Sequence, residues 1–366
     1  MHTRLLRLQE ALQRARLDAL ALNPGPSLTY LTGLHFHLME RPVVAFFTAD
    51  GRQSLVLPRL EAPKVAARED LQPFFYDDNP SWWSDAFRQA IETLGLRQAR
   101  IGVEPNRLRV LELRYLEAAA PRAVFPSAAD ALASLRAVKD EGELAALQEA
   151  VNIAQTALEA ALQAFRVGMS EKELAAELVA QLLRHGSEPE LPFQPIVAAG
   201  PNSANPHAVP TDRPIQPGDL LIIDWGATYN GYFSDITRTF AIGTVEAELA
   251  RLAEVVRQAN AAGRAAAKPG VTAGAVDAAA RRVIAEAGYG EYFTHRTGHG
   301  LGMDVHEPPF VFAGNAEVLR PGMVFTVEPG IYLSGRGGAR VEDDVVVTPE
   351  GARSLSDLPR ALRRLA

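Results

Sequence analysis

The sequence predicts an α/β chain of two domains, the second built from a duplicated α+β half. Three observations carry that prediction. Residues 1–130 alternate helix-like and strand-like patterns. Two strand-like stretches about a hundred residues apart, "QPGDLLIIDWG" (Gln216 to Gly226) and "RPGMVFTVEPG" (Arg320 to Gly330), share one plan. Two helix starts, "RVGMSEKELAAEL" and "KPGVTAGAVDAAA", recur at nearly the same offset.

The elements follow in chain order. "MHTRLLRLQEALQRARLDALAL" spaces its leucines like an amphipathic helix and carries acids throughout, unlike a secretory leader with its uninterrupted apolar core. "RPVVAFFTADGRQSLVLP" reads as two strands around an Asp50-Gly51 turn. The Ala-rich run from Ser127 to Leu162 leads from one domain into the next, and Asp140 with Glu143 is a capping box for a long helix. We therefore place the domains at 1–130 and 139–366. In the second, Ser170 and Thr272 are N-caps 102 residues apart, while Asp224 and Glu328 end apolar strands 104 residues apart. Register held between both pairs implies two halves related by a pseudo-two-fold, with their acids facing each other.

Composition bounds the function. The chain has 366 residues, 47% apolar and 22% charged, which describes a globular protein. A net charge of −7 argues against a nucleic-acid partner. Zero cysteines exclude disulfides, thiolate metal sites and cysteine nucleophiles. No run of about 18 uncharged apolar residues appears, so no membrane span is expected and a cytoplasmic location is.

The chemistry gathers in the second domain. In "DWGATYNGYFSDITR", Asn230-Gly231 is a two-residue hairpin signal. With that loop, Tyr229 faces Tyr232, Asp224 faces Thr237, and Asp235 lies diagonal to Asp224 on one face. Two carboxylates held so close need a shared proton or a cation. The second half adds His299 and His306 in "RTGHGLGMDVHEPP", Glu328, and Glu342 in "GGARVEDD", the counterpart of Asp235 across a longer loop. Four carboxylates and one imidazole suit two divalent cations, Mn²⁺ first by ligand hardness, with Co²⁺ or Zn²⁺ the alternatives. Singly, each residue is as easily explained as a turn former, a solvated acidic edge or a loop histidine. Together, five donors in a repeated frame point to a dinuclear hydrolytic centre.

The order Asp-Asp-His-Glu-Glu resembles the pita-bread metallopeptidases, and most of all the Xaa-Pro peptidases, aminopeptidase P and prolidase. The likeness runs through "VAAGPNSANPHA", "TGHGLGMDVHEPP", "RPGMVFTVEPGIY" and "GGARVEDDVVVT", and more weakly through "YLTGL" in a creatinase-like N-terminal domain. It implies that Asp224, Asp235, His299, Glu328 and Glu342 bind two metals, with Asp235 and Glu342 bridging and Glu328 also taking the proton of the attacking water. It implies that His207 handles the scissile peptide or its tetrahedral intermediate, that His306 binds substrate, and that Arg340 clamps the carboxylates. The implied substrate is a small peptide with proline second, and the implied assembly a homodimer. A methionine aminopeptidase and a catalytically dead binding protein on this fold are the alternatives. A dipeptidase needs a basic group for the proline carboxylate, and some prolidases carry arginine just after "HExP". Phe310 stands there, which tilts the expectation toward longer peptides. Arg340, Arg336, or a residue of the first domain or a partner subunit are possible substitutes, and His35 and His37 lie on a loop that could approach a neighbour's site.

Overall fold

The structure is a computed structural model that describes residues 2–365. It divides into two compact units, one ending at Arg136 and one beginning at Ala137.

The first unit runs α1 (His2–Arg14), β1 (Ala19–Leu22), α2 (Pro26–Thr32), β2 (Val44–Thr48), β3 (Gln53–Pro58), α3 (Ala62–Val65), β4 (Gln72–Tyr76), α4 (Trp83–Leu94), β5 (Ile101–Val103), α5 (Val110–Ala119) and α6 (Ala129–Arg136). Its sheet has the order β4-β3-β2-β1-β5. The β2–β3 hairpin turns at Asp50-Gly51 as the sequence requires. One face of the sheet packs Phe46, Val56 and Ile101 against Phe87 and Ile91 of α4. His35 and His37 are exposed on either side of the buried Phe36.

The second unit shows the duplication. Its first half is α7 (Glu141–Ala164), α8 (Glu171–Arg184), β6 (Ile196–Ala199), β7 (Leu220–Trp225), β8 (Thr228–Tyr229), β9 (Tyr232–Phe233) and β10 (Ile236–Ile242). Its second half is α9 (Ala247–Ala266), α10 (Ala273–Glu286), β11 (Gly298–Gly300), β12 (Glu307–Val311), β13 (Val324–Val327), β14 (Gly330–Leu333), β15 (Gly337–Arg340), β16 (Asp343–Thr348), β17 (Gly351–Ser354) and β18 (Arg363–Leu365). Helices α8 and α10 have 14 residues each. Both begin where the caps predict. The Ser170 and Thr272 hydroxyls accept the backbone N–H groups of Glu173 and Ala275, and Asp140 with Glu143 completes a capping box on α7.

The strands form two sheets, β18-β10-β7-β6 and β12-β11-β13-β16-β17, with β8–β9 and β14–β15 as hairpins extending them. The first hairpin has the register read from Asn230-Gly231: Tyr229 pairs with Tyr232, and Asp224 with Thr237. Asn230 and Gly231 both hold positive φ, 50° and 72°, as a type I′ turn demands. The two sheets join at one bridge, where Glu342 N–H donates to the Thr237 carbonyl at 3.1 Å. That bridge brings the acid-bearing ends of the two halves together.

Candidate metal centre

Each half delivers its acids from the end of an apolar strand. Asp224 is the last residue but one of the wholly buried β7, and Glu328 directly follows β13. Asp235 precedes β10, diagonal to Asp224 as expected. Glu342 departs from its counterpart. It lies between β15 and β16, and the pairs Gly330–Arg340 and Val327–Asp343 on either side place it straight across from Glu328. The extra residues of the β14–β15 hairpin change the register by one pleat, so the two halves are not equivalent at this point. The alternative of a solvated acidic edge fails for Glu342, Asp343 and Asp344, all buried.

His299 arrives on β11, a strand squeezed between β12 and β13. A Cβ on Gly298 would fall 1.9 Å from the Thr326 carbonyl oxygen, and one on Gly300 2.4 Å from that of Glu307. Only a Gly-His-Gly strand fits there, and it presents the imidazole alone. Its Nε2 lies 3.6 Å from Asp235 Oδ2 and 3.4 Å from Glu328 Oε1. Ligand atoms of Asp235, His299 and Glu342 all fall within 4.8 Å of one another.

The guanidinium of Arg340, 3% exposed, fixes the other side of the cluster. It donates to Asp224 Oδ2 at 2.6 Å, the Tyr332 hydroxyl at 2.8 Å and Thr237 Oγ1 at 3.1 Å. Thr237 in turn donates to Glu342 Oε2 at 2.6 Å. On a neighbouring side, the Asp344 carboxylate accepts the Asp235 backbone N–H at 3.1 Å.

The electrostatics say what the cluster suits. Burial raises the pKa of Asp224, and raises those of Asp235 and Glu342 well above the usual range, with neighbouring carboxylates adding to it for the latter two. Glu328 is pushed up to about 7, again by burial first. His299 is driven well below its ordinary value by burial and by His306, so it is a neutral, metal-ready imidazole. Arg340 is the cation hydrogen-bonded within a group of three buried acids and the partly buried Glu328, and Asp224 Oδ1 is buried without a hydrogen-bond partner. A donor set of four carboxylates and a neutral imidazole, with an orphaned oxygen aimed into it, fits divalent cations.

The cluster forms the floor of a cleft of about 530 Å³. His207 and His306 stand in its wall, exposed, with the His306 ring 4.0 Å from that of His299. Pro192, Phe193 and Ile196 supply an apolar side. The cleft therefore gathers the five proposed ligands, Asp224, Asp235, His299, Glu328 and Glu342, with His207, His306 and Arg340. It does not include Arg336, which pairs at the surface with Glu246 and Glu248.

Comparison with known proteins puts this geometry in a family. The family described as "Metallopeptidase family M24" matches residues 145–349, and "Creatinase/Prolidase N-terminal domain" matches residues 4–138. The chain belongs to metallopeptidase family M24. This M24 chain is 41% identical over 357 residues to the "Probable dipeptidase PepE" of Mycobacterium tuberculosis, covering 95% of this chain and 92% of that one. It is 35% identical to the Xaa-Pro dipeptidase of Lactobacillus delbrueckii subsp. lactis, over 98% of each chain. A dipeptidase crystal structure from Pyrococcus horikoshii superposes with a TM-score of 0.93 at 38% identity, covering 99% of this chain and 100% of that one. The fold is thus the pita-bread metallopeptidase behind a creatinase-like domain, and the chain is a metal-dependent enzyme using divalent ions.

Two residues of the M24 cleft were missed by sequence reasoning. Arg296 and His295 both line it. His295 Nε2 lies 2.9 Å from the Tyr332 hydroxyl, and burial lowers its pKa to about 4. The Arg296 guanidinium lies over the Phe310 ring, 4.6 Å from its centroid, and among the described residues none hydrogen-bonds or ion-pairs with it. The signal was present as "HRTGHG", three residues before the ligand histidine, but an arginine in a loop carries no sequence mark of where it points.

Proposed function

We propose that the chain is an Xaa-Pro dipeptidase: it hydrolyses the peptide bond before a C-terminal proline. The carrying observation is the convergence of four carboxylates, three of them buried, and a neutral imidazole on one cleft that also holds Arg296, whose guanidinium makes no ion pair among the described residues.

In this reading Asp224, Asp235, His299, Glu328 and Glu342 hold two divalent ions, Mn²⁺ by the hardness of an oxygen-rich set. Such a pair, when bound, polarises a carbonyl and makes water nucleophilic near neutral pH. Asp235 and Glu342 would be the carboxylates shared by the two ions. Glu328 sits where a carboxylate can accept the proton of the attacking water, and Arg340 keeps Asp224 and Thr237 oriented. His207 and His306 face the scissile peptide from the cleft wall. The apolar side formed by Pro192, Phe193 and Ile196 suits a pyrrolidine ring. A bond before proline is a tertiary amide with no N–H, so recognition has to use its carbonyl and the chain ends.

Arg296 supports the dipeptide reading. Phe310, where some prolidases carry arginine, supports its guanidinium through a cation–π contact instead of replacing its charge. The same reading assigns residues 1–130 to the creatinase-like domain and 139–366 to the catalytic domain. It has the chain act as a cytoplasmic homodimer, which sedimentation velocity measures.

The test compares an Xaa-Pro dipeptide with an Xaa-Pro tripeptide, with Mn²⁺ and with chelator, on the parent enzyme and on Arg296→Ala. A lost charge-assisted hydrogen bond of about 1.5–3 kcal/mol raises KM for the dipeptide by roughly 10–150-fold, and the tripeptide is spared. Full activity after complete metal removal rejects the mechanism. Equal losses on both substrates reject Arg296 as the carboxylate anchor.

A further inference from the structure

The loop that carries His306 is tied to the start of the second unit by a buried ion pair. Lys139 Nζ donates to Glu307 Oε1 at 2.6 Å, with side chains 1% and 6% exposed. Lys139 is itself held on both sides along the chain. Its backbone N–H donates to the Gly322 carbonyl at 2.9 Å, Val138 bridges Met323, and the next residue, Asp140, caps α7. Glu307 is the first residue of β12 and pairs with Gly300, next to His299. Residues 301–306 form the short loop that leaves β11 and returns there. Phe233 N–H donates to the Gly302 carbonyl at 2.9 Å, and Gly302 N–H to that of Asp304 at 3.1 Å. Gly302 has no room for a side chain: a Cβ would fall 2.7 Å from Glu307 Oε1. The carboxylate is therefore wedged between the loop's own backbone and the lysine.

His306 is the last residue of that loop and is bonded directly to Glu307, the first of β12. Glu307 is buried, and His306, one residue earlier, is exposed in the cleft. Whatever fixes Glu307 therefore sets how deep the His306 imidazole sits. A buried ion pair adds little net stability over an apolar pair of equal volume. What an apolar pair cannot supply is a directional link at one fixed length.

We propose that the Lys139–Glu307 pair is a positioning device for His306, acting on the substrate side of the cleft and not on the metal ligands. The proposal rests on the reading of His306 as a substrate-contacting residue. Lys139→Met and Glu307→Gln are made singly and together, the double variant removing both charges so that no lone buried ion is left. Each is also combined with His306→Ala. The double variant is expected to lower kcat/KM about 10–100-fold. Mn²⁺ affinity by calorimetry stays within twofold, and the imidazole NMR signals of His306 in the metal-free protein move while those of exposed His185 do not. In the His306→Ala background the same pair of changes costs less than twofold. Multiplicative losses, or a fall in Mn²⁺ affinity that matches the fall in activity, overturn the positioning role while leaving the reading of His306 intact. A His306→Ala enzyme with undiminished activity overturns that reading, and the proposal with it.

Discussion

Glu328→Gln should change the pH dependence of stability in a way that depends on metal. In the metal-free protein the Glu328 carboxyl is pushed from 4.5 up to about 7, by burial first, against the pull of Arg340 and with the push of Asp224. A group with a raised folded-state pKa stabilises fully below its unfolded value, and that contribution is lost as pH rises through the folded value. The gap between 4.5 and about 7, at about 1.4 kcal/mol per pH unit, comes to about 3 kcal/mol. An amide in place of the carboxyl has no proton to lose. Metal-free Glu328→Gln should therefore gain about 3 kcal/mol on the parent protein between pH 4.5 and pH 7.5, or roughly 6–12 °C in Tm for the catalytic unit. His295 and His299, whose pKa values are lowered by burial, push stability the other way with pH, and comparing two proteins that both carry them cancels most of that slope. Scanning calorimetry on chelated samples across this range is the measurement. Saturating Mn²⁺ should reverse the order at neutral pH, because the ionised Glu328 then has a cation. A Tm difference that stays flat or falls with pH in the metal-free proteins would refute the account of the cluster as carboxylates awaiting cations.

Other outcomes follow from the same geometry. Asp235→Asn should cut activity at least about a hundredfold while the circular dichroism spectrum is unchanged, since it replaces a carboxylate proposed to be shared by the two ions with an amide of the same shape. Near-normal turnover would undo the hairpin argument. Ser170→Ala removes the hydroxyl that accepts the Glu173 N–H at the start of α8. It should cost about 1 kcal/mol in denaturant unfolding and leave Mn²⁺ affinity and turnover alone.

Much of the centre was legible in the sequence because its signals are local. Asn230-Gly231 fixes a two-residue turn, the turn fixes the register, and the register sets Asp235 diagonal to Asp224. Ser170, Thr272 and Asp140 are helix caps because their side chains bond backbone three residues away. The same logic carried over to the second half mislaid one detail. The longer β14–β15 hairpin shifts the pairing, so Glu342 stands straight across from Glu328 while Asp235 is diagonal to Asp224.

By itself the sequence determined the repeat, the five candidate donors and the turns that place them, because turn chemistry and apolar periodicity act within about ten residues of chain. The tertiary structure alone decided that Arg296 points into the cleft over Phe310, that His295 reaches Tyr332, that Asp224 is the carboxylate Arg340 takes, and that Lys139 meets Glu307. Those contacts join separate strands and loops, in the last two cases more than a hundred residues apart. Their partners are chosen by how the two halves pack, and the physics of packing leaves no mark on either segment read alone.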